Sequence, residues 1–343
     1  MVYVMVAVLA IVLVIQFAGY LLSAPKYQGA VSDHFDGRQF LNYGNAKAKG
    51  LSDVIKWMFQ RQQGPWKEVT MTNRADKPDS RIDKGIRVTF INHTTFLVQT
   101  AGINILTDPV YSKRVSPFTW TGPKRMRPPG IDFSDLPPID VVVISHNHYD
   151  HLDMATVKKL QAAFNPQFIV PLGVGAFLKE NSVTKFEELD WWQATPVDSV
   201  TFQSVPAQHF SGRGLSDRDA TLWCGYVLHS PGGTLYFAGD TGYNEKIFAE
   251  IGERCGPVDV AIIPIGAYKP AWFMSPVHCS PEEAIRIHQD VKARKSIAAH
   301  YGTFPLADDG QGEPVAALTE ARKNAGLTEQ DFVALEEGAS ADF

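Results

Sequence analysis

His146, Asn147, His148, Tyr149, Asp150 and His151 stand in a row, so three imidazoles and a carboxylate fall within six residues. They follow the apolar run Ile139-Asp140-Val141-Val142-Val143-Ile144-Ser145. Its length and β-branched content predict a buried strand. Just beyond, Asp153 is placed to cap a helix that starts at Met154. A chain with this stretch must bring several ligand atoms to the rim of a sheet, where a strand ends and a helix begins. Imidazole nitrogen and carboxylate oxygen suit Zn²⁺ and neighbouring first-row ions. Without a metal, three crowded histidines would need partners for every ring nitrogen. The expectation is a metal site rather than a surface histidine cluster.

The chain has 343 residues, 45% of them hydrophobic and 20% charged. That is enough for a large core, in one large domain or two. A net charge of −5 opposes a nucleic-acid-binding surface over the whole molecule, so no nucleic-acid partner is expected. Cys224, Cys255 and Cys279 have no CxxC spacing. They argue against a disulfide framework and against a thiolate zinc site, and read as small apolar residues.

Val2 to Leu22 is almost wholly apolar, and at about 1.5 Å per residue it can just cross a bilayer core of about 30 Å. Ser23-Ala24-Pro25 follows, as after a signal peptide. The lack of a basic leader and the length of the apolar run favour a retained transmembrane anchor over residues 1–22. No Lys or Arg precedes the run and Lys26 and Arg38 follow it, which puts the body on the cytoplasmic side.

Residues 23–84 read as a linker and N-terminal extension. Within it Leu51, Val54, Ile55 and Met58 follow helical spacing beside Trp57. A helix docked on the main body is expected there, with a helix lying on a membrane as the alternative. From Ile86 short strands predominate: 87–91, 95–99, 104–107, 168–170, 199–202, 222–228, 234–238 and 258–263. Helices are predicted over 153–163, 243–252, 281–292 and 315–325. Ser280, Pro281 and Glu283 form a capping box for the third of them. Strands and helices alternate loosely, so the fold class is α/β, and a layered sandwich fits better than a doubly wound sheet.

Three more candidate ligands sit at strand ends before glycine-containing loops: His209, Asp240 and His300. The pattern HxHxDH at 146–151, with these three in this order behind it, resembles the metallo-β-lactamase superfamily over roughly residues 85–305. Asn92-His93-Thr94-Thr95-Phe96-Leu97, Leu106-Thr107-Asp108-Pro109-Val110-Tyr111-Ser112 and His278-Cys279-Ser280-Pro281-Glu282-Glu283-Ala284 resemble the branch of N-acyl-phosphatidylethanolamine-hydrolysing phospholipase D enzymes.

The resemblance implies an αββα four-layer sandwich over residues 85–343, preceded by the N-terminal hydrophobic helix, and a site for two divalent ions, zinc foremost. His146, His148 and His209 would hold one ion; Asp150, His151 and His300 the other; Asp240 would bridge. Seven ligands shared in this way leave room for a bridging hydroxide that attacks phosphorus. Asp150 could also orient this nucleophile. His278 would bind phosphate or donate a proton to the leaving group. Asp108 and His93 would support the ligands from behind. The implied reaction is hydrolysis of an N-acyl-phosphatidylethanolamine-like membrane lipid to phosphatidic acid and N-acylethanolamine. A lactonase, a phosphodiesterase on a soluble substrate, and a non-catalytic metal-binding membrane protein are the alternatives. The oligomeric state is left open, a homodimer included.

Two loops are candidates for substrate binding. In residues 111–130, Lys113, Arg114, Lys124 and Arg125 alternate with Phe118 and Trp120, a composition suited to anionic head groups or to a solvated surface loop. Trp272 and Phe273 lie in an apolar loop before His278 and could receive acyl chains or serve simple packing.

Overall fold

The computed structural model describes residues 16–17, 19–46, 48–70 and 77–343. Among them β1 (Ile86–Asn92), β2 (Thr95–Thr100), β3 (Ile103–Thr107), β4 (Val141–Val143), β5 (Gln167–Pro171) and β6 (Phe186–Leu189) form one sheet in sequence order. A second sheet takes β7 (Ala194–Val197), β8 (Val200–Val205), β9 (Gly225–Ser230), β10 (Gly233–Phe237), β11 (Val258–Pro264), β12 (Ala293–Ala299) and β13 (Phe332–Val333). The last strand, β14 (Ser340–Asp342), returns to the first sheet beside β1. Both sheets are mixed: β1 to β3 and β7 to β10 pair antiparallel, β3 to β6 and β10 to β13 parallel.

Side-chain alternation explains the layers. Phe96, Val98, Ile105, Val141 and Val143 point into the core between the sheets, while Leu97, Leu106 and Val142 point to the other face. Both faces are covered, so these strands read as continuous apolar runs. The helices are α1 (Leu51–Gln60), α2 (Met154–Phe164), α3 (Val174–Glu180), α4 (Glu245–Arg254), α5 (Ala271–Met274), α6 (Pro281–Asp290) and α7 (Glu313–Asn324). Helices α2 and α3 cover the outer face of the first sheet through Val157, Leu160, Val174 and Leu178. Helices α4, α6 and α7 join the second sheet through Phe248, Ile285 and Leu318. The expected caps form: Asp153 accepts from Ala155 N, and Ser280 and Glu283 bond each other's backbone.

Several boundaries differ from expectation, for physical reasons. The strand predicted over 139–145 is shorter, Val141–Val143; Ile144 N still bonds Ile169 O, and past it the Ser145 N–H turns to the Asp108 carboxylate at 2.7 Å. Strand β7 was not anticipated; it tolerates Pro196 because it lies at a sheet edge. Helix α1 forms where the spacing placed it, but Leu51, Ile55 and Met58 are exposed. What docks is Trp57, stacked on Phe273 at 5.1 Å between ring centroids and donating Nε1–H to Asp308.

The expected membrane anchor is corrected. Residues 1–15 and 18 of that span lie outside the described residues. Among the described residues no helix is long and apolar enough to cross a membrane. The end of the apolar run and the residues after it contact the body: Leu215 N donates to Gly19 O, Ser216 Oγ to Ser23 Oγ, and Ala24 N to Asp217. The orientation inferred from Lys26 and Arg38 falls with the anchor.

The stretch after it is a strap, not a free linker. Phe35 and Phe40 are buried in the main hydrophobic core. Tyr27 N donates to Ala220 O and Phe40 N to Asp219 O. His34 stacks on Trp191 at 4.5 Å and lies between Asp33 and Asp190, its Nε2 2.7 Å from Asp190. Burial alone would lower the His34 pKa, but the two carboxylates outweigh it and raise it above the ordinary 6.5. A pKa raised on folding contributes stability that is complete below the unfolded value and lost as pH rises through the folded one. The gap in melting temperature between wild type and His34→Gln should therefore be widest below about pH 6.5 and shrink as pH rises. A gap independent of pH would refute this clasp.

Candidate metal centre

Strand ends from both sheets converge on one rim. The first sheet supplies His93 in the β1–β2 turn, Asp108 after β3, and His146, His148, Asp150 and His151 after β4. The second supplies His209 after β8, Asp240 after β10 and His300 directly after β12. His278 comes from the segment leading to α6. Glycine permits two of the close approaches. A Cβ on Gly239 (φ +62°) would lie 2.6 Å from Ser145 Cβ, and one on Gly266 would lie 1.9 Å from His300 O. His93, Asp108 and His300 all have positive φ (51°, 34° and 58°), a conformation costing about 1–3 kcal/mol each. The His300 N–H to His93 O bond, 2.8 Å, ties two of these turns together.

All seven ligands expected from the sequence are brought together, in two adjoining groups. Ligand atoms of His146, His148 and His209 lie within 4.8 Å of one another, and so do those of His93, Asp150, His151 and His300. Asp240 Oδ2 touches both groups, 3.1 Å from His151 Nε2, 3.1 Å from His300 Nε2 and 3.8 Å from His209 Nε2. His278 Nδ1 is 3.9 Å from the same oxygen, and it forms a further group with His209 and Asp240. His93 Nε2 is 3.1 Å from Asp150 Oδ2, nearer than His151 at 3.4 Å or His300 at 3.5 Å.

The donor set fits metal ions. His151 Nε2, His300 Nε2, Asp240 Oδ1 and His278 Nδ1 are buried without a hydrogen-bond partner, a pattern that close-packed interiors avoid unless something else occupies those lone pairs. Burial pushes His148, His209 and His278 down to about 3 and His146 well below its ordinary value, which leaves the lone pairs free for coordination. Burial also opposes ionisation of Asp150 and Asp240, yet His151 and its neighbours outweigh it and hold both well below the usual carboxylate range. Burial disfavours charge on His151 and His300 too, but the carboxylates raise His151 well above 6.5 and His300 to about 9.

Asp108, fully buried, accepts His151 Nδ1–H at 2.7 Å and the Ser145 hydroxyl at 2.6 Å. His209 Nδ1 is held by Val277 O at 2.8 Å. Arg213 clamps the ligand loop: Nη1 donates to Asn147 O and Leu152 O (2.7 and 3.0 Å), and the guanidinium lies 3.9 Å from the Tyr149 ring centroid. Arg213 and Ser145 were not anticipated. Both stand near candidate ligands in the sequence, but their partners, the Asp108 carboxylate for Ser145 and the Asn147 and Leu152 carbonyls for Arg213, are reached only through folding.

The two candidate substrate loops make contacts of their own. Lys124 pairs with Glu68, Arg114 donates to Gly122 O, and Arg125 is buried with its guanidinium on Val110 O and Ser112 O. Lys113 and Lys124 line, with Arg125, a cavity of about 710 Å³. The ring contacts of Trp272 and Phe273 beyond their own pair run to α1: Lys56 sits 4.7 Å over Trp272, and Trp57 stacks on Phe273.

The family described as "Beta-lactamase superfamily domain" matches residues 103–301. The chain belongs to the metallo-β-lactamase superfamily. It is 46% identical over 241 residues to an uncharacterised protein of Mycobacterium tuberculosis, covering 69% of this chain and 64% of that one. The chain thus matches under two thirds of that relative's length. It is 41% identical over 239 residues to N-acyl-phosphatidylethanolamine-hydrolyzing phospholipase D 1 of Caenorhabditis elegans, covering 66% of this chain and 67% of that protein. Among solved structures, isothiocyanate hydrolase from Delia radicum gut bacteria superposes with a TM-score of 0.60 at 20% identity, covering 75% of this chain and 98% of that one. This last likeness concerns the superfamily fold. The chain therefore has the metallo-β-lactamase superfamily fold and, at its rim, a His/Asp cluster able to bind metal ions.

Proposed function

We propose that this chain is a metal-dependent hydrolase, a phospholipase D-type phosphodiesterase acting on N-acyl-phosphatidylethanolamine-like lipids. The observation that carries the reading is Asp240 Oδ2, set between two groups of ring nitrogens. That is the arrangement a pair of divalent ions needs from a shared carboxylate. His146, His148 and His209 would hold one ion, Asp150, His151 and His300 the other, with Asp240 common to both. Zinc suits these donors. Such an ion pair, when bound, acidifies water and stabilises charge on the oxygens of an in-line displacement.

The chain's own groups do the rest. Asp150, bonded to His93, is placed to orient the attacking water. His278, beside Asp240 at the partly open side of the site, is placed to hydrogen-bond a phosphoryl or leaving oxygen. One water is consumed, the phosphorus–oxygen bond to the N-acylethanolamine breaks, and phosphatidic acid and N-acylethanolamine leave. The lipid substrate class is supported by the name of the nematode relative. Residues 85–343 would make up the catalytic domain.

The test is turnover by zinc-loaded protein in detergent, with N-acyl-phosphatidylethanolamine and a soluble aryl phosphodiester side by side, resolved by mass spectrometry. Phosphatidic acid released by wild type and not by Asp150→Asn is the expected result. Cleavage of the soluble diester alone would leave a hydrolase and remove the lipid assignment.

A further inference from the structure

The strap lies outside the stretch the superfamily match covers, 103–301, yet it reaches the metal centre. Asn42, buried, bonds both main-chain polar groups of His209. Its Oδ1 accepts His209 N–H at 2.9 Å and its Nδ2 donates to His209 O at 2.7 Å. The remaining capacity of the amide is also used: Nδ2 donates to Ala46 O at 3.1 Å, and Oδ1 accepts Trp223 Nε1–H at 3.1 Å. Two donors and two acceptors are all that an asparagine side chain has.

His209 lies beyond the last paired residue of β8, Val205, so no sheet ladder fixes its backbone. The Asn42 amide supplies that pairing, in the way a neighbouring strand's peptide group would. With the backbone held by Asn42 and the ring held at Nδ1 by Val277 O, Nε2 has one direction left, toward His148 at 3.3 Å and Asp240 at 3.8 Å. Asn42 is in turn fixed by the strap, through Phe35 and Phe40 in the core and Phe40 N on Asp219 O.

We infer that Asn42 is a positioning residue of the metal centre, setting the affinity of the ion held by His146, His148 and His209. The inference rests on the two-ion reading above. An aspartate in its place keeps the shape and the acceptor but turns a second oxygen toward His209 O and Ala46 O. An alanine leaves the His209 N–H and C=O buried without partners.

The experiment uses the full chain, stripped of metal and titrated with Co²⁺ and with Zn²⁺, read by Co²⁺ ligand-field absorption and by competition with a chromophoric chelator. Wild type should take up two equivalents. In Asn42→Ala and Asn42→Asp, one equivalent should bind about 10–100-fold more weakly, with a changed Co²⁺ spectrum, and the other should be unaltered. Ser296→Ala, which removes the 2.8 Å His288–Ser296 bond between α6 and β12, sets the baseline for destabilisation. It should lower the melting temperature and leave both equivalents intact. If Asn42→Ala does not fold, the isosteric Asn42→Asp decides. Wild-type affinities and spectrum in the Asn42 variants, with only a lowered melting temperature, would overturn the inference. A wild type that takes up a single ion would instead remove the two-ion reading, and Asn42 is then judged on that ion by the same comparison.

Discussion

Asp240→Asn is expected to leave the protein folded and to lower hydrolysis by about 10³-fold, with fewer than two ions retained after dialysis. The charge stabilisation that bound ions supply amounts to several kcal/mol, and each 1.36 kcal/mol is a factor of ten in rate. Asp240 Oδ2 contacts ring nitrogens of His151, His209 and His300. A neutral amide there removes the one negative charge that both groups of ligands share. Metal content by mass spectrometry and turnover of the same preparation check this together. Two retained ions with turnover within tenfold of wild type would refute the bridging role. A strong chelator should abolish wild-type turnover in the same way, with added Zn²⁺ restoring it.

Asp108→Ala is expected to show the largest loss of stability of any single change discussed here, about 3–5 kcal/mol, the cost of removing one partner of a buried charged pair. Burial raises the Asp108 pKa above the usual carboxylate value, and His151 and Ser145 offset only part of that rise. Loss of the carboxylate leaves His151 Nδ1 and the Ser145 N–H and hydroxyl without the partner they share. Asp108→Asn separates stability from positioning. Asparagine accepts the positive φ of 34° at this position and keeps the volume, but it has one oxygen where Asp108 uses two, Oδ1 for the Ser145 N–H and Oδ2 for the Ser145 hydroxyl and His151 Nδ1. That variant should fold and bind metal about 10–100-fold more weakly. The midpoint of urea unfolding and metal competition measure the two effects separately. An Asp108→Ala protein as stable as wild type would show that the His151 pair contributes nothing net.

The candidate ligands were legible because their information is local. His146 to His151 follow a β-branched run that can only be a buried strand, and His209, Asp240 and His300 each stand where an apolar run gives way to glycine. A strand end points its last side chains to the rim whatever the rest of the chain does. The capping residues Asp153 and Ser280 were legible for the same reason, since a cap bonds its own helix within three residues. Local reading failed where the partner is distant. Leu51, Ile55 and Met58 have the spacing of a buried face, but the docking contact belongs to Trp57, whose partners Phe273 and Asp308 lie more than 200 residues away. In the basic loop, the partners of Lys124 and Arg125, namely Glu68, Val110 O and Ser112 O, are likewise set only by the fold. The apolar N-terminal run had the length of a membrane span, and the way its end packs against Leu215 and Asp217 was not written in it.

By itself, then, the amino-acid sequence determined the α/β class and pointed to seven candidate ligands at strand ends, because strand periodicity and motif spacing act over a few residues. Tertiary structure alone decided how those ligands are held. Asp108 reaches His151 across 43 residues, His93 reaches Asp150 across 57, and Asn42 reaches His209 across 167. Each of these contacts needs a buried polar group to find its partner in a water-free interior, where an unmade hydrogen bond costs more than a made one contributes. Only the closed packing of two sheets and a strap brings those partners within reach.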